Sequence, residues 1–158
     1  MKPLRILSNY TDSFEHTECF LEHLKSLELQ TLKPKQNMCD AILEALDQEC
    51  HVAIMDPRLR FIIEPHKLLN LSCDVAVCTK NGRSSMKMPV LDNSFLLLRN
   101  TPKTRAFIDN WAKSGIQTSL EDAIIKNIYS LQVFPISSLL IKELKEDTEC
   151  FLRWFLRT

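Results

Sequence analysis

Apolar residues fall in short clusters separated by polar, turn-forming segments, and the clusters alternate between two periods. Leu4 to Leu7 is a compact apolar run that gives way to Ser8-Asn9-Tyr10-Thr11-Asp12, the pattern of a buried strand feeding a loop. Phe14, Phe20, Leu21, Leu24 and Leu27 then recur near helical spacing, with Thr11, Asp12 and Ser13 available as N-caps. Leu29 to Leu32 predicts a second strand before Lys33-Pro34-Lys35, and Met38, Ile42, Leu43 and Leu46 mark a second helix. His51 to Met55 is a third strand, stopped abruptly by Asp56-Pro57-Arg58.

The same alternation continues. Glu64-Pro65 opens a short helix through Leu71, and Asp74 to Cys78 reads as a further buried strand. Thr79 to Met88 is the most polar loop, and Ser94 to Leu98 is the next strand. Pro102 begins a helix whose apolar face includes Ala106, Phe107, Ile108, Trp111 and Ala112, positions that fit a core better than a stacking platform. Ser119 caps a helix over Leu120 to Ile128, Leu131 to Phe134 is a strand closed by Pro135, and Lys142 to Thr158 is an amphipathic helical tail. Strands and helices in this order predict a three-layer α/β/α domain with a mostly parallel sheet over residues 1–141, followed by the tail at 142–158.

Composition narrows the picture. A chain of 158 residues with 45% hydrophobic content suits one globular domain. With 20 basic and 20 acidic residues the formal net charge is zero, so any attraction for nucleic acid or phosphate has to come from a local basic patch. No apolar run is long enough to span a bilayer and the N-terminus lacks the apolar core of a signal peptide, which sets the expectation of a cytoplasmic protein without a membrane span. In that setting Cys19, Cys39, Cys50, Cys73, Cys78 and Cys150 are expected to be reduced and mostly buried. Cys50-His51 with Cys73 and Cys78 does not follow zinc-finger spacing. The only glycines are Gly82 and Gly115, which excludes both the GxGxxG fingerprint and the P-loop.

Ligands of open α/β sheets bind beyond the carboxyl ends of the strands. Four polar places qualify: Ser8-Asn9-Tyr10, Asp56-Pro57-Arg58, Asp92-Asn93 and Glu121-Asp122. Asp56 either caps the turn before Pro57 or holds a divalent cation against a diphosphate. Glu121 and Asp122 either answer a helix dipole or supply a base. Arg58, Arg60, Lys80, Arg83 and Lys87 form a candidate anion-binding set, or simply a solvated loop surface.

The stretch from Pro89 to Trp111, with Asp92-Asn93-Ser94-Phe95, the apolar Leu96-Leu97-Leu98, then Arg99-Asn100-Thr101-Pro102 and a helix bearing Phe107 and Trp111, resembles a segment of the GT-A fold nucleotide-diphospho-sugar transferases. Upstream, Lys35, the Ala41 to Leu46 helix and Val52-Ala53-Ile54-Met55-Asp56 are similar to that family's passage into its D-x-D motif. Downstream, Ser119-Leu120-Glu121-Asp122-Ala123 resembles its D-Q-x-A helix start, so the likeness runs over roughly residues 4 to 140. The chain departs from the pattern at Arg58, where the second aspartate of D-x-D would stand, at the missing glycine after Ser94, and at Glu121-Asp122 in place of Asp-Gln.

The resemblance implies a compact GT-A-like glycosyltransferase with a nucleotide-sugar donor and an unidentified acceptor. It places Ser8, Asn9 and Tyr10 on the nucleotide, and Asp56, Arg58 and Arg83 on the ribose, metal or diphosphate. Asp92 and Asn93 fall on the donor sugar, and Glu121 or Asp122 on the acceptor. It implies a divalent metal, Mn or Mg, held by Asp56, or its replacement by the charge of Arg58. The rival expectation is a catalytically inactive module of the same fold that meets a partner protein or a second copy through Phe151, Trp154 and Phe155 of the tail.

Overall fold

A computed structural model describes residues 2–8, 14–32, 37–57, 59–61, 64–79, 91–114, 119–136 and 141–143. Its elements are β1 (Leu4–Leu7), α1 (Phe14–Ser26), β2 (Gln30–Thr31), α2 (Met38–Asp47), β3 (His51–Met55), β4 (Leu59–Phe61), a 3-10 helix (Pro65–Asn70), β5 (Val75–Thr79), β6 (Leu91–Leu98), α3 (Pro102–Lys113), α4 (Leu120–Lys126), β7 (Val133–Ile136) and β8 (Ile141–Glu143).

Six strands form one sheet in the order β2-β1-β3-β6-β5-β7. β1 pairs in parallel with both β2 and β3, and β5 with β7, whereas β6 runs antiparallel between β3 and β5. The sheet is therefore mixed and mostly parallel, as the alternating pattern implies. The chain steps from β1 to β2, then back across β1 to β3, and right-handed crossovers in opposite directions put the two helices on opposite faces. Residue alternation in the strands serves both sides. Leu7, Val52, Val75, Val77, Leu96 and Leu98 pack with α2, α3 and α4, while Ile6, Ala53, Met55, Phe95 and Leu97 pack with Phe20 and Leu24 of α1.

Several boundaries differ from the expected ones. The Phe95 strand starts at Leu91, so Asp92 and Asn93 lie within β6 rather than before it. Pro135 sits inside β7 instead of closing it, which is tolerated because β7 is the edge of the sheet, where a missing N–H breaks no interior ladder. Ala106 is exposed and Thr104 takes its place on the buried face of α3. The helical tail expected from Lys142 begins in a strand, because Arg60 pairs with Lys142 in the small β4-β8 sheet; residues 144–158 lie outside the described residues. Cys39, Cys50 and Cys73 are buried free thiols, and Cys19 is partly exposed.

The Arg99-Asn100-Thr101-Pro102 segment does its work at the amino edge of the sheet. Arg99 Nη1 donates to the Cys73 carbonyl at 2.9 Å, and Thr101 Oγ1 donates to Asp74 Oδ1 at 2.7 Å. The other carboxylate oxygen of Asp74 accepts the Gln132 N–H at 2.8 Å. Asn100 ties in α2 and β3 through the Leu46 and Cys50 carbonyls and through its N–H, which donates to His51 Nδ1 at 2.9 Å. Each bond satisfies a group that burial would otherwise orphan, so this motif joins β3, β5, β6, β7 and α3 into one unit.

α1 and α2 both end in a Schellman arrangement. Leu29 N–H bonds the Leu24 carbonyl and Glu28 N–H that of Lys25; likewise Cys50 bonds Ala45 and Glu49 bonds Leu46. The residue this motif turns into the left-handed region is usually glycine, but here it is Glu28 at φ 58° and Glu49 at φ 60°. Glu49→Gly is expected to raise unfolding free energy by about 0.5–1 kcal/mol; a lower urea midpoint than the parent's would show that the glutamate is unstrained.

Candidate active site

The connections leave β1 and β3 in opposite directions, and the carboxyl ends of two such neighbouring strands are where open α/β sheets bind their ligands. Register fixes what stands there. Leu7 lies opposite Ile54 and Met55 opposite Phe95, so Ser8, Asp56 and the first half of β6 share one edge. On the far side of β6, Asp92 lies opposite Cys78, and a register shift between Val77 and Cys78 marks where that pairing is irregular. The sheet thus brings Ser8, Asp56, Asp92 and Asn93 to a single edge.

Ser8 is 4% exposed, and its hydroxyl has no hydrogen-bond partner among the described residues. Asp56 is half-buried, and its carbonyl accepts the Leu59 N–H at 3.0 Å, closing the turn that leads into β4. Glu121 and Asp122 open α4, where the Asp122 N–H donates to Ser119 Oγ at 3.2 Å; the cap predicted at Ser119 is present. They belong to a different element from the sheet-edge group, one that packs on the α2 and α3 side. Asn9, Tyr10, Arg58 and Arg83 lie outside the described residues, as do the side chains of Asp92 and Asn93.

No three potential metal-ligating side chains are grouped among the described residues. Asp56 offers one carboxylate, and two residues further on the sequence has Arg58 where the resemblance would expect a second aspartate. A divalent ion needs more oxygen ligands than that, so the residues in view do not complete a metal site.

Two buried polar residues behind this edge escape the hydrophobic pattern. His23 on α1 is fully buried, and its Nε2 accepts the Phe61 N–H at 3.2 Å. Its ring stacks on Phe61 at 6.3 Å, and Phe61 in turn meets Phe95 edge-on at 5.9 Å. Arg60, placed above among candidate surface cations, is instead 0% exposed within the domain. His23 could have been found from its position three residues after Phe20 and one before Leu24, on the apolar stripe of α1. Arg60 left no such signal.

Pockets elsewhere carry less chemistry. One of about 220 Å³ lies between α3 and α4, lined by Phe107, Trp111 and Asn127; another of about 360 Å³ lies beside β2, near Arg5 and Glu44.

Among solved structures, the chain is similar to 4-diphosphocytidyl-2C-methyl-D-erythritol synthase from Anaerococcus prevotii, with a TM-score of 0.60, 9% identity and 99% of each chain covered. It is also similar to a glycosyltransferase involved in glycosylation of the major capsid of PBCV-1, with a TM-score of 0.54 and 6% identity over 99% of this chain and 100% of that one. HddC from Yersinia pseudotuberculosis, crystallised with GMP-PN, gives 0.54 and 10% over 98% and 100%. The fold is that of nucleotidyltransferases and glycosyltransferases. At these identities the likeness is one of architecture. No family model matches the sequence, and no curated protein matches it. Among the described residues, no helix is long and apolar enough to cross a membrane.

The buried histidines make stability depend on pH. Burial, with the charge of Arg60 second, holds His23 at a pKa of about 3; burial, with Arg99 and Lys2 behind it, holds His51 at about 4. Both stay neutral when folded, whereas the unfolded chain takes up protons below about pH 6.5. Their contribution is thus complete above pH 6.5 and is lost as pH falls toward 4, by on the order of 3 kcal/mol for His51. His51→Asn, whose amide oxygen can still accept the Asn100 N–H, is expected to flatten urea stability between pH 6.5 and 4; an unchanged slope would contradict a neutral buried His51.

Proposed function

We propose that the chain is a GT-A-like glycosyltransferase that moves a sugar from a nucleotide-diphosphate sugar to an acceptor. The observation that carries this reading is the placement of Ser8 and Asp56 at the ends of adjacent parallel strands, with Asp92 and Asn93 of β6 on the same edge. The fold shared with transferases that include a capsid glycosyltransferase supports it. Cytidylyl transfer is the other activity named among the neighbours, for a protein from Thermus thermophilus. A triphosphate cradle built from backbone N–H groups favours glycine, and the segment after β1 has none, so a diphosphate held by side chains fits this chain better.

In this reading Ser8, Asn9 and Tyr10 contact the nucleotide, and Asp56 binds the ribose. Arg58 and Arg83 face the diphosphate; Asp92 and Asn93 orient the donor sugar. An acceptor oxygen attacks the anomeric carbon while the bond to the diphosphate breaks, and the leaving group carries away the electron pair. Arg58 supplies the positive charge that this developing anion requires, at the position where a second aspartate would hold a metal. Glu121 or Asp122 takes the proton from the acceptor or orients it. The part of the tail that can act as a separate contact element begins after Glu143, since Ile141–Glu143 is held by β4.

Arg58 in place of an acidic residue also favours a second reading, a non-catalytic binding module. Thermal unfolding against a panel of nucleotide sugars, each with and without Mn²⁺, separates the two. A donor at a hundredfold excess over Kd stabilises by about 2.7 kcal/mol, which appears as a rise of several degrees in Tm. Asp56→Ala is expected to keep the ligand-free Tm and lose at least about tenfold in donor affinity, or about 1.4 kcal/mol. A full ligand shift in that variant would refute the assignment, and binding without turnover would favour the module.

A further inference from the structure

β4 is buried at every residue, with Leu59 at 6%, Arg60 at 0% and Phe61 at 0% exposure. An arginine in the middle of such a strand calls for a reason. Its Nη1 donates to the Pro57 carbonyl at 2.6 Å and to the Leu59 carbonyl at 2.7 Å, using both hydrogens of that nitrogen on the turn that follows Asp56. The guanidinium lies 5.6 Å from the centre of the Phe20 ring on α1. The next residue, Phe61, is gripped by His23 one helical turn further on. Two successive residues of β4 are thus fastened to one face of α1, and the turn is fastened to the first of them.

Stability does not explain this residue. Arg60 has no carboxylate partner among the described residues, and its Nε and Nη2 have no hydrogen-bond partner there either. Desolvation lowers its pKa to about 10, which still leaves it charged at neutral pH. A buried charge without a counter-ion is costly, and apolar replacements of buried charges are often neutral or stabilising. What an apolar side chain cannot do is donate to two carbonyls of one turn.

We propose that Arg60 is a positioning residue: it clamps the turn that follows Asp56 onto α1 and so sets where Asp56 stands at the carboxyl edge. The functional half of this rests on the reading of that edge as the donor site. Displacement of a binding group by even about 1 Å is enough to weaken a site strongly.

The test compares the parent with Arg60→Met and Arg60→Lys in amide exchange and in affinity for the nucleotide sugar that binds the parent. In Arg60→Met the Leu59 amide, which closes the turn, is expected to exchange about tenfold faster or more, while Ala53 and Leu97 in the sheet centre keep their protection. Donor affinity is expected to fall about tenfold or more, with a Tm equal to the parent's or higher, a combination that simple loss of packing does not produce. Arg60→Lys, which keeps the charge and can reach one carbonyl, restores part of both effects and serves if the methionine variant does not fold. Unchanged Leu59 exchange, or a loosened turn with parental affinity, overturns the proposal. If the parent binds no nucleotide sugar, the donor-site reading fails on its own, and the Leu59 comparison still decides whether Arg60 is the clamp.

Discussion

The structure depends on one strand running the wrong way. β6 lies between β3 and β5 and is antiparallel to both, so each of its ends serves a different edge of the sheet. Its second half, Phe95 to Leu98, is buried and supplies both cores by alternation. Its first half carries Asp92 and Asn93 to the carboxyl ends of β3 and β5. Its last residue delivers Arg99 to Thr101 to the amino edge, where they bond Cys73, Asp74, His51 and the end of α2. Were β6 parallel, its first half would lie at the amino edge instead.

That division of labour separates fastening from chemistry. At the amino edge most polar groups are paired: both oxygens of Asp74 accept bonds, Asn100 makes three, and His51 is held neutral as an acceptor, with Arg99 Nε left over. At the carboxyl edge Ser8 keeps a buried hydroxyl without a described partner. Polar networks that are complete rigidify a core; groups left over at a strand end suit a ligand. The two edges thus read as foundation and site, and the Arg99-Asn100-Thr101-Pro102 segment belongs to the foundation.

Much of this was legible in the residue pattern. The alternating apolar clusters gave the element order and the three layers, and the cap expected at Ser119 is made by its side chain. Strand direction was not legible, since an apolar run buried on both faces looks the same in either sense. β4 was hidden because a charge in its centre breaks the apolar run, and β8 because three residues joined to a polar tail pass equally well for the start of an amphipathic helix. Among site residues, Ser8, Asp56, Asp92 and Asn93 come together because strand ends are where sheets collect polar groups. Arg60 could not be found from sequence, because its burial follows from a pairing between β4 and β8 some eighty residues apart.

The most direct measurement is the mapping of amide chemical shifts in the labelled protein as a nucleoside diphosphate is added. A donor site at the carboxyl edge requires saturable shifts at Ser8, Asp56, Thr79 and Leu91 to Ser94, with Arg99, Thr101 and Thr104 at the amino edge unmoved. Saturable shifts confined to the amino edge, to the pocket beside β2 or to the groove between α3 and α4 would contradict a donor site at the ends of β1 and β3, as would the absence of any shift.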